Sequence, residues 1–228
     1  MTREHVLDNL TVLRVGIARA AERAGRDPGE VRLVAAAKTV PAERVRWVLD
    51  AGVTDIGENY VKELREKRSL LPGARWHFIG VLQSNTAHHV AALADVVQTL
   101  ASGHATERLA RRAAAAGRTL QGLIEVDLTG ERTGVPPDEV PAFADRVAAM
   151  EGLRMVGLMT LPPIPERPDD ARPFFVRLRE IRDTVRERHP EAVDLSMGMS
   201  LDYEVAVEEG ATMVRIGTAL FGERPPAT

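Results

Sequence analysis

The sequence predicts an α/β protein that folds as a single (β/α)8 TIM-type barrel with an extra N-terminal helix. Short apolar runs recur along the chain, and each is followed by a stretch with the spacing of an amphipathic helix. Strands covered by helices on both faces have such runs, and the alternation indicates a parallel sheet with right-handed crossovers. Eight of these units fit into about 200 residues, the small end of the range for a closed barrel. An open doubly wound sheet is the alternative fold.

The elements are predicted in chain order from this pattern. Apolar residues at helical spacing between Val6 and Ile17 predict a flanking helix within residues 1–25. Residues 31–39 form the first strand, and Pro41 suits the first position of the helix that follows it. The other strands are predicted at 53–57, 76–80, 96–100, 120–128, 153–161, 193–196 and 212–216, with helices between them.

A single domain is predicted because no proline- or glycine-rich linker divides the chain into two parts. The prolines between 162 and 168 lie inside the repeating pattern and predict a stiff loop. Residues 1–228 are therefore predicted to form one barrel domain. The two prolines near the C-terminal end predict a frayed tail at 223–228.

The composition narrows the classes of function. The chain carries a net charge of -3 and no cysteine. Without a basic field, a nucleic-acid partner is not expected, and without cysteine there are no disulfides, thiolate catalysis or cysteine metal sites. No stretch reaches the ~20 apolar residues of a spanning helix, and the charged start, Met1–His5, does not resemble a secretory signal. We expect a cytoplasmic protein with no membrane partner, and we assign no metal ligands.

Lys38 ends the first strand and is the centre of the candidate site. In parallel α/β folds, ligands bind at the C-terminal ends of the strands. A lysine there can form an imine with an aldehyde or hold an anion, and the alternative is a lysine that leaves the core for solvent. Glu58 and Asn59 end the second strand, and His77 in the third is interpreted as a structural histidine. Polar groups at the strand ends are therefore expected to form a ring at one end of the barrel.

Two later segments predict an anion site. Residues 196–200, Ser-Met-Gly-Met-Ser, follow the seventh strand, and residues 215–218, Arg-Ile-Gly-Thr, end the eighth. Barrels often hold a phosphate between the loops after these two strands. Glycine lets the backbone approach a phosphate, and the hydroxyls of Ser200 and Thr218 can donate hydrogen bonds to it. Ordinary turn chemistry is the alternative, since Ser, Thr and Gly fill most turns.

Closure of the barrel would place the eighth strand beside the first. Lys38, Arg215 and the loop of Gly217 and Thr218 would then share one site. A reactive lysine opposite a phosphate suits a phosphorylated aldehyde, and pyridoxal 5′-phosphate (PLP) fits as an imine with Lys38. Arg215 suits the pyridine nitrogen. Because arginine stays protonated, it would keep that nitrogen unprotonated and make the cofactor a weaker electron sink.

Six motifs resemble those of the pyridoxal phosphate homeostasis proteins. They come in that family's order and cover nearly the whole chain. They are Ala37-Lys38-Thr39, Gly57-Glu58-Asn59-Tyr60, Trp76–Gly80 with Leu82–Asn85, Gly157-Leu158-Met159, Leu195–Ser200 and Met213–Thr218. The departures from the family pattern are Thr86 and Arg132, where lysine is frequent, and Leu201, where an acidic residue is frequent. The first two bear on surface or partner roles of those lysines and not on the cofactor site, whereas Leu201 stands beside Ser200 at the mouth.

The resemblance implies a barrel similar to the N-terminal domain of alanine racemase, with PLP bound covalently. The site residues it implies are Lys38 as the covalent anchor, Ser200, Gly217 and Thr218 at the phosphate, Arg215 at the pyridine nitrogen and Asn59 beside the cofactor. It also implies a role in intracellular vitamin B6 homeostasis without efficient catalysis. PLP-dependent apoenzymes are then candidate recipients of the cofactor, and a monomer is expected.

Two other functions stay open. A PLP-dependent amino-acid racemase needs a base on each face of its substrate, and Lys38 could serve one face. The only tyrosines are Tyr60 and Tyr203, and the chain is expected to end too soon after the eighth strand for a second, all-β domain. A class I aldolase-type barrel would instead use Lys38 on a phosphorylated sugar. The cofactor binder is favoured because the ring of binding groups offers no convincing second acid–base residue.

Overall fold

The computed structural model describes residues 1–131 and 133–223, and in this part of the chain eight parallel strands close into a barrel. Each strand pairs with its neighbour in sequence, and the first pairs with the last. The strands are β1 Arg32–Ala36, β2 Asp55–Glu58, β3 Arg75–Phe78, β4 Val96–Leu100, β5 Leu120–Glu125, β6 Leu153–Met159, β7 Asp194–Ser196 and β8 Met213–Ile216. The predicted barrel is confirmed, and the open sheet is wrong.

Helices connect the strands on the outside of the barrel, and one precedes β1. The α-helices are α1 Arg3–Arg23, α2 Ala42–Asp50, α3 Val61–Leu70, α4 Ala87–Leu93, α5 His104–Ala115, α6 Val140–Ala148, α7 Arg172–Arg186, α8 Tyr203–Glu208 and α9 Thr218–Phe221. The extra N-terminal helix is therefore confirmed as α1. Across the residues described, no helix is both long enough and apolar enough to cross a membrane.

The strands end earlier than the apolar runs in the sequence. β1 stops at Ala36, so Lys38 lies two residues beyond its end. β5 stops at Glu125 instead of 128, and β6 stops at Met159 instead of 161. Backbone hydrogen bonds to the neighbouring strands continue one residue past these ends, at Ala37, Val126 and Thr160. The predicted tail at 223–228 lies outside the described residues, apart from Glu223.

The N-terminal helix covers the seam between the first and last strands. Thr2 caps the N-terminus of α1, where its hydroxyl accepts a hydrogen bond from the N–H of His5. It buries one face and packs against α8 and α9, which flank β8. Asn9 Nδ2 donates to Leu220 O at 3.2 Å. α1 therefore holds the elements that end beside the candidate site.

The alternation of side chains along each strand separates two cores. Residues on the inner face fill the barrel, and they are Val34, Val96, Leu123, Val156, Met159 and Met213. Residues on the outer face pack under the helices, as Ala35, Ile56, Trp76 and Val214 do. Because the period of a strand is two residues, Ala36 and Lys38 follow Val34 on the inner side, and Arg215 and Gly217 follow Met213. The pleat alone therefore directs the lysine and the arginine to the same space.

Candidate functional site

A cavity of about 460 Å³ opens at the C-terminal end of the barrel. Its volume lies within the range of about 300–1,000 Å³ for small-molecule and cofactor sites. The six residues predicted from the sequence all line it, namely Lys38, Asn59, Ser200, Arg215, Gly217 and Thr218. Apolar side chains complete the wall, among them Ile79, Met159 and Leu161. The structure therefore places these six residues around one cavity.

The backbone on both sides of Lys38 is held by one group of charged residues. Ala37 O accepts a hydrogen bond from Lys67 Nζ at 2.7 Å, and the N–H of Thr39 donates to Glu63 Oε2 at 2.8 Å. Thr39 has a φ of 64°, in the left-handed region that few residues other than glycine adopt. The turn that carries Lys38 is therefore fixed by specific contacts as it leaves β1.

These charged residues form a buried cluster behind the site. Lys67 Nζ donates to Glu58 Oε1 at 2.6 Å and to Glu63 Oε2 at 2.7 Å. Glu58 is fully buried, and burial raises its pKa to about 7. The sequence placed Glu58 in the ring at the mouth, but the pleat turns it outward under α3. Lys67 lies nine residues away on a helix, and no motif in the sequence linked the two.

Arg215 occupies the inside of the barrel below the mouth. It is 5% exposed, and burial lowers the pKa of its guanidinium to about 10. Nη1 donates to Ser196 Oγ at 2.6 Å, and Nη2 donates to Thr160 O at 2.8 Å. Because its pKa stays well above neutral pH, Arg215 remains a cation that can only donate hydrogen bonds.

The two loops of the predicted anion site are joined by a hydrogen bond. Ser200 Oγ accepts from the N–H of Ala219 in the first turn of α9, at 3.0 Å. Gly198 makes the first loop possible: its φ is 91°, and its carbonyl accepts from the N–H of Arg215 at 2.9 Å. The hydroxyls of Ser200 and Thr218 therefore lie on one rigid unit at the edge of the cavity.

Two buried oxygens at the cavity lack a hydrogen-bond partner among the described residues. They are Asn59 Oδ1 and Asp202 Oδ2. The other carboxylate oxygen of Asp202 accepts from the N–H of Met199 at 2.6 Å, and burial raises the pKa of this group. Buried polar atoms are rarely left unpaired, so both oxygens indicate a polar ligand in the cavity. No sequence pattern singles out Asp202, which directly precedes α8.

Other polar groups of the predicted ring lie elsewhere. His77 is fully buried inside the barrel and does not line the cavity. Asp127 Oδ1 accepts hydrogen bonds from the N–H groups of Thr129 and Gly130, so it shapes the loop after β5. Within residues 1–131 and 133–223, no cluster of three potential metal ligands is found. Because the cavity combines the basic residues Lys38 and Arg215 with apolar side chains, it suits an organic anion with polar and apolar parts.

The fold and this site define a class of protein, the barrel of the alanine racemase N-terminal domain family, which residues 9–225 match. An alanine racemase of Clostridium difficile has the same fold, with a TM-score of 0.78 at 14% identity over 97% of this chain and 57% of that one.

The chain belongs to the family of pyridoxal phosphate homeostasis proteins. It is 41% identical to the Aquifex aeolicus member over 91% of this chain and 93% of that one. It is 39% identical to the Pseudomonas aeruginosa member over 96% of both. The resemblance predicted from the six motifs is thereby confirmed.

Two solved structures with 32% identity are similar to this chain over most of its length. A protein of Bifidobacterium adolescentis superposes with a TM-score of 0.90, covering 96% of this chain and 95% of that one. PipY of Synechococcus elongatus, whose structure was solved with PLP bound, gives a TM-score of 0.80 over 90% of this chain and 100% of that one.

Proposed function

We propose that this protein binds PLP through Lys38 and serves intracellular vitamin B6 homeostasis, holding the cofactor without efficient catalysis. The observation that carries the proposal is the single cavity where Lys38, Arg215 and the joined loops of Ser200 and Thr218 meet. The chain's membership in a family named for PLP homeostasis supports it. So does PipY, a relative solved with PLP bound.

The residues present fit the chemical parts of PLP. Lys38 would hold the aldehyde carbon, and the loop unit of Ser200, Gly217 and Thr218 would hold the phosphate. Arg215 would face the ring nitrogen, and the unpartnered amide of Asn59 would lie beside the ring. When bound, the cofactor supplies an aldehyde carbon and an electron-accepting ring. A donor-only guanidinium at the ring nitrogen leaves that nitrogen unprotonated, which weakens the ring as an electron sink.

Gly217 supports a site built for close approach of a ligand. Its φ is −114°, outside the left-handed region, and an added Cβ would make only ordinary contacts of 3.4 Å and more with Ala36. The barrel therefore leaves room for a side chain here. Glycine instead keeps the backbone of the cavity wall open, as contact with a phosphate requires.

A racemase would need a second base opposite Lys38, and neither tyrosine supports one. Tyr60 is 56% exposed on the loop after β2, and Tyr203 lies between α8 and α1, where its hydroxyl donates to Glu204 Oε1. Neither residue lines the cavity. A holder of the cofactor is therefore favoured over an efficient racemase.

The experiment that tests the proposal is spectroscopic. The purified protein is incubated with PLP, its visible absorbance is recorded, and the sample is reduced with borohydride and digested. We expect a visible band and a pyridoxyl mass on the peptide that holds Lys38. The chain has three lysines, so Lys62 and Lys67 serve as internal controls for nonspecific modification. If no band forms with added PLP, the proposal fails.

Replacing Ser200 by alanine is expected to weaken binding of PLP about tenfold, because one hydrogen bond to a charged group is lost. Binding of pyridoxal, which lacks the phosphate, is expected to stay within about twofold of its original value. Both dissociation constants are measured by absorbance titration. Ser84→Ala, at an exposed serine, is the control. An equal loss for both ligands would show that Ser200 acts through the loop structure and not at the phosphate.

We also propose that the protein acts in the cytoplasm as one monomeric domain and passes PLP to PLP-dependent apoenzymes. The motive is the open position of the cavity at the barrel mouth, where Ile164 is 84% exposed on the rim. Sedimentation analysis tests the monomer. The transfer is tested by adding the reduced, covalently trapped protein and the unreduced protein to an apoenzyme. If the unreduced protein activates the apoenzyme no faster than the PLP that it has released into solution, direct transfer is contradicted.

A further inference from the structure

A chain of hydrogen bonds crosses the barrel from Arg215 at the cavity to Asp55 at the opposite end. Arg215 Nη1 contacts Ser196 Oγ at 2.6 Å, and Ser196 Oγ contacts Gln98 Oε1 at 2.7 Å. Gln98 Nε2 contacts His77 Nδ1 at 2.8 Å, and His77 Nε2 contacts Asp55 Oδ1 at 2.7 Å. Five strands contribute one residue each. We call this set the barrel relay.

The middle of the barrel relay is closed to solvent. Ser196, Gln98 and His77 are each fully buried. The far end is different, because Asp55 lines a second cavity of about 400 Å³ at the base of the barrel. Asp55 Oδ1 also lies 3.7 Å from Arg75 Nη1. Burial alone would raise the pKa of Asp55, but the hydrogen bond from His77 and the nearby charges bring it below its usual value.

The two ends fix the direction of every hydrogen bond between them. A guanidinium can only donate and a carboxylate can only accept. Ser196 therefore accepts from Arg215 and donates to Gln98 Oε1, and the amide nitrogen of Gln98 donates to His77 Nδ1. The proton of a neutral His77 is then on Nε2, facing Asp55. A flipped amide would require His77 to be doubly protonated, which burial opposes by lowering the pKa of His77.

The charges of Glu125 and Asp202 favour the cationic form of Arg215, and the barrel relay adds a third carboxylate that reaches the guanidinium through hydrogen bonds. In the described part of the chain, both hydrogen bonds of Arg215 go to neutral oxygens, Ser196 Oγ and Thr160 O. Hydrogen bonds that all point the same way polarise one another in a medium of low dielectric constant. The negative charge of Asp55 can therefore stabilise Arg215 through the three neutral groups between them.

We propose that Ser196, Gln98, His77 and Asp55 are positioning residues that orient the Arg215 guanidinium toward the heteroaromatic ring of the ligand. The inference rests on the proposed function, in which Arg215 faces the ring nitrogen of PLP. The barrel relay engages Nη1, Thr160 O engages Nη2, and the remaining N–H groups of the guanidinium are left for the cavity that Arg215 lines. It thereby sets the charge that the ring nitrogen experiences, and the absorbance of the bound cofactor reports that charge.

The first part of the test needs no cofactor. Protein labelled with ¹⁵N in its histidines is observed by NMR, and the signals of His77 are identified by their loss in His77→Asn. We expect a neutral ring with its proton on Nε2 throughout pH 6–8. A doubly protonated ring, or a proton on Nδ1, would overturn the direction of the barrel relay.

The second part measures the absorbance maximum and dissociation constant of PLP in variants. Ser196→Ala is expected to shift the maximum and weaken binding about tenfold, since it removes an acceptor of a charged donor. Ser196→Thr keeps the hydroxyl and is expected to restore both values. Asp55→Asn, at the far end of the barrel relay, is expected to change the absorbance maximum and the dissociation constant in the same direction as Ser196→Ala, by a smaller amount. Thr99→Val is the control, because Thr99 is buried beside Gln98 but donates to Gly80 O.

The outcomes separate this inference from the proposed function. If the unaltered protein takes up no PLP, the proposed function fails and the inference fails with it. If it takes up PLP but Asp55→Asn, shown to be folded by circular dichroism, leaves the absorbance maximum and affinity unchanged, the barrel relay has no role in positioning and the proposed function stands. A Thr99→Val effect as large as that of Ser196→Ala would likewise overturn the inference. Loss of a buried hydroxyl outside the barrel relay would then change the absorbance maximum and the affinity equally well.

Discussion

Lys38→Ala is expected to remove the borohydride-trapped pyridoxyl adduct entirely and to weaken PLP binding on the order of 100-fold. Of the three lysines in the chain, only Lys38 lines the cavity. The contacts expected at the phosphate and at Arg215 remain in the variant, so some noncovalent binding should survive. Mass spectrometry of the reduced protein and equilibrium dialysis with PLP measure the two effects.

The barrel itself is expected to stay folded in this variant. Lys38 lies two residues beyond the end of β1 and is only partly buried, so its truncation should change the free energy of unfolding by about 1 kcal/mol or less. Lys62→Ala is the matched control, since Lys62 is an exposed lysine on α3. An adduct that persists in Lys38→Ala and disappears in Lys62→Ala or Lys67→Met would place the anchor elsewhere and contradict the proposed site.

The sequence was sufficient to predict the barrel and the six cavity residues because both depend on local patterns. The apolar runs mark the strands, the alternation of strand and helix indicates a parallel sheet, and eight units favour a closed barrel over an open sheet. The pleat directs Lys38 and Arg215 inward from neighbouring strands. The closure of β1 on β8, with Val34 opposite Arg215, then brings the two predicted halves of the site together. Each of these steps follows from periodicity and a general rule of topology.

The barrel relay and the charged cluster could not be predicted in the same way. Gln98 and Ser196 are 98 residues apart, and their contact depends on which strand faces which across the barrel. Glu58 was expected at the mouth because it ends an apolar run, but β2 includes it and the pleat turns it outward. Its partner Lys67 is on an otherwise charged helix, where a lysine is normally solvated. Long-range pairing of polar groups leaves no periodic signal in the sequence.

Lys67→Met is expected to lower the free energy of unfolding by about 3–5 kcal/mol near pH 8, because it leaves the buried carboxylate of Glu58 without its cation. Lys67 is 6% exposed and Glu58 is fully buried, so water cannot replace the lost contact. Urea denaturation followed by circular dichroism measures the change. Lys62→Met, on the same helix but exposed, is the control and is expected to stay within about 0.5 kcal/mol of the unaltered protein.

The loss in Lys67→Met is expected to be smaller at pH 5.5. Burial already raises the pKa of Glu58 to about 7 in the intact protein, where hydrogen bonding by Lys67 opposes the rise. Without Lys67 the folded-state pKa of Glu58 is higher still, while in the unfolded chain it stays near 4.5. The folded variant then binds a proton that the unfolded chain releases, so its stability falls as pH rises from about 4.5 through the raised pKa. A loss that is equal at pH 5.5 and pH 8 would show that packing, and not the charge of Glu58, causes it.

Combining Lys67→Met with Glu58→Gln separates the charge from the positioning of Lys38. The double variant contains no buried carboxylate at this place, so much of the stability at pH 8 is expected to return. Its affinity for PLP is expected to stay below that of the unaltered protein, because Ala37 O still lacks the donor that Lys67 Nζ supplies 2.7 Å away. Glu63 would also lose the lysine that holds it against the N–H of Thr39. Recovery of stability together with full recovery of affinity would mean that the cluster only stabilises α3 against the barrel. Recovery of stability alone would mean that the same lysine also holds the turn on which the cofactor's anchor is placed.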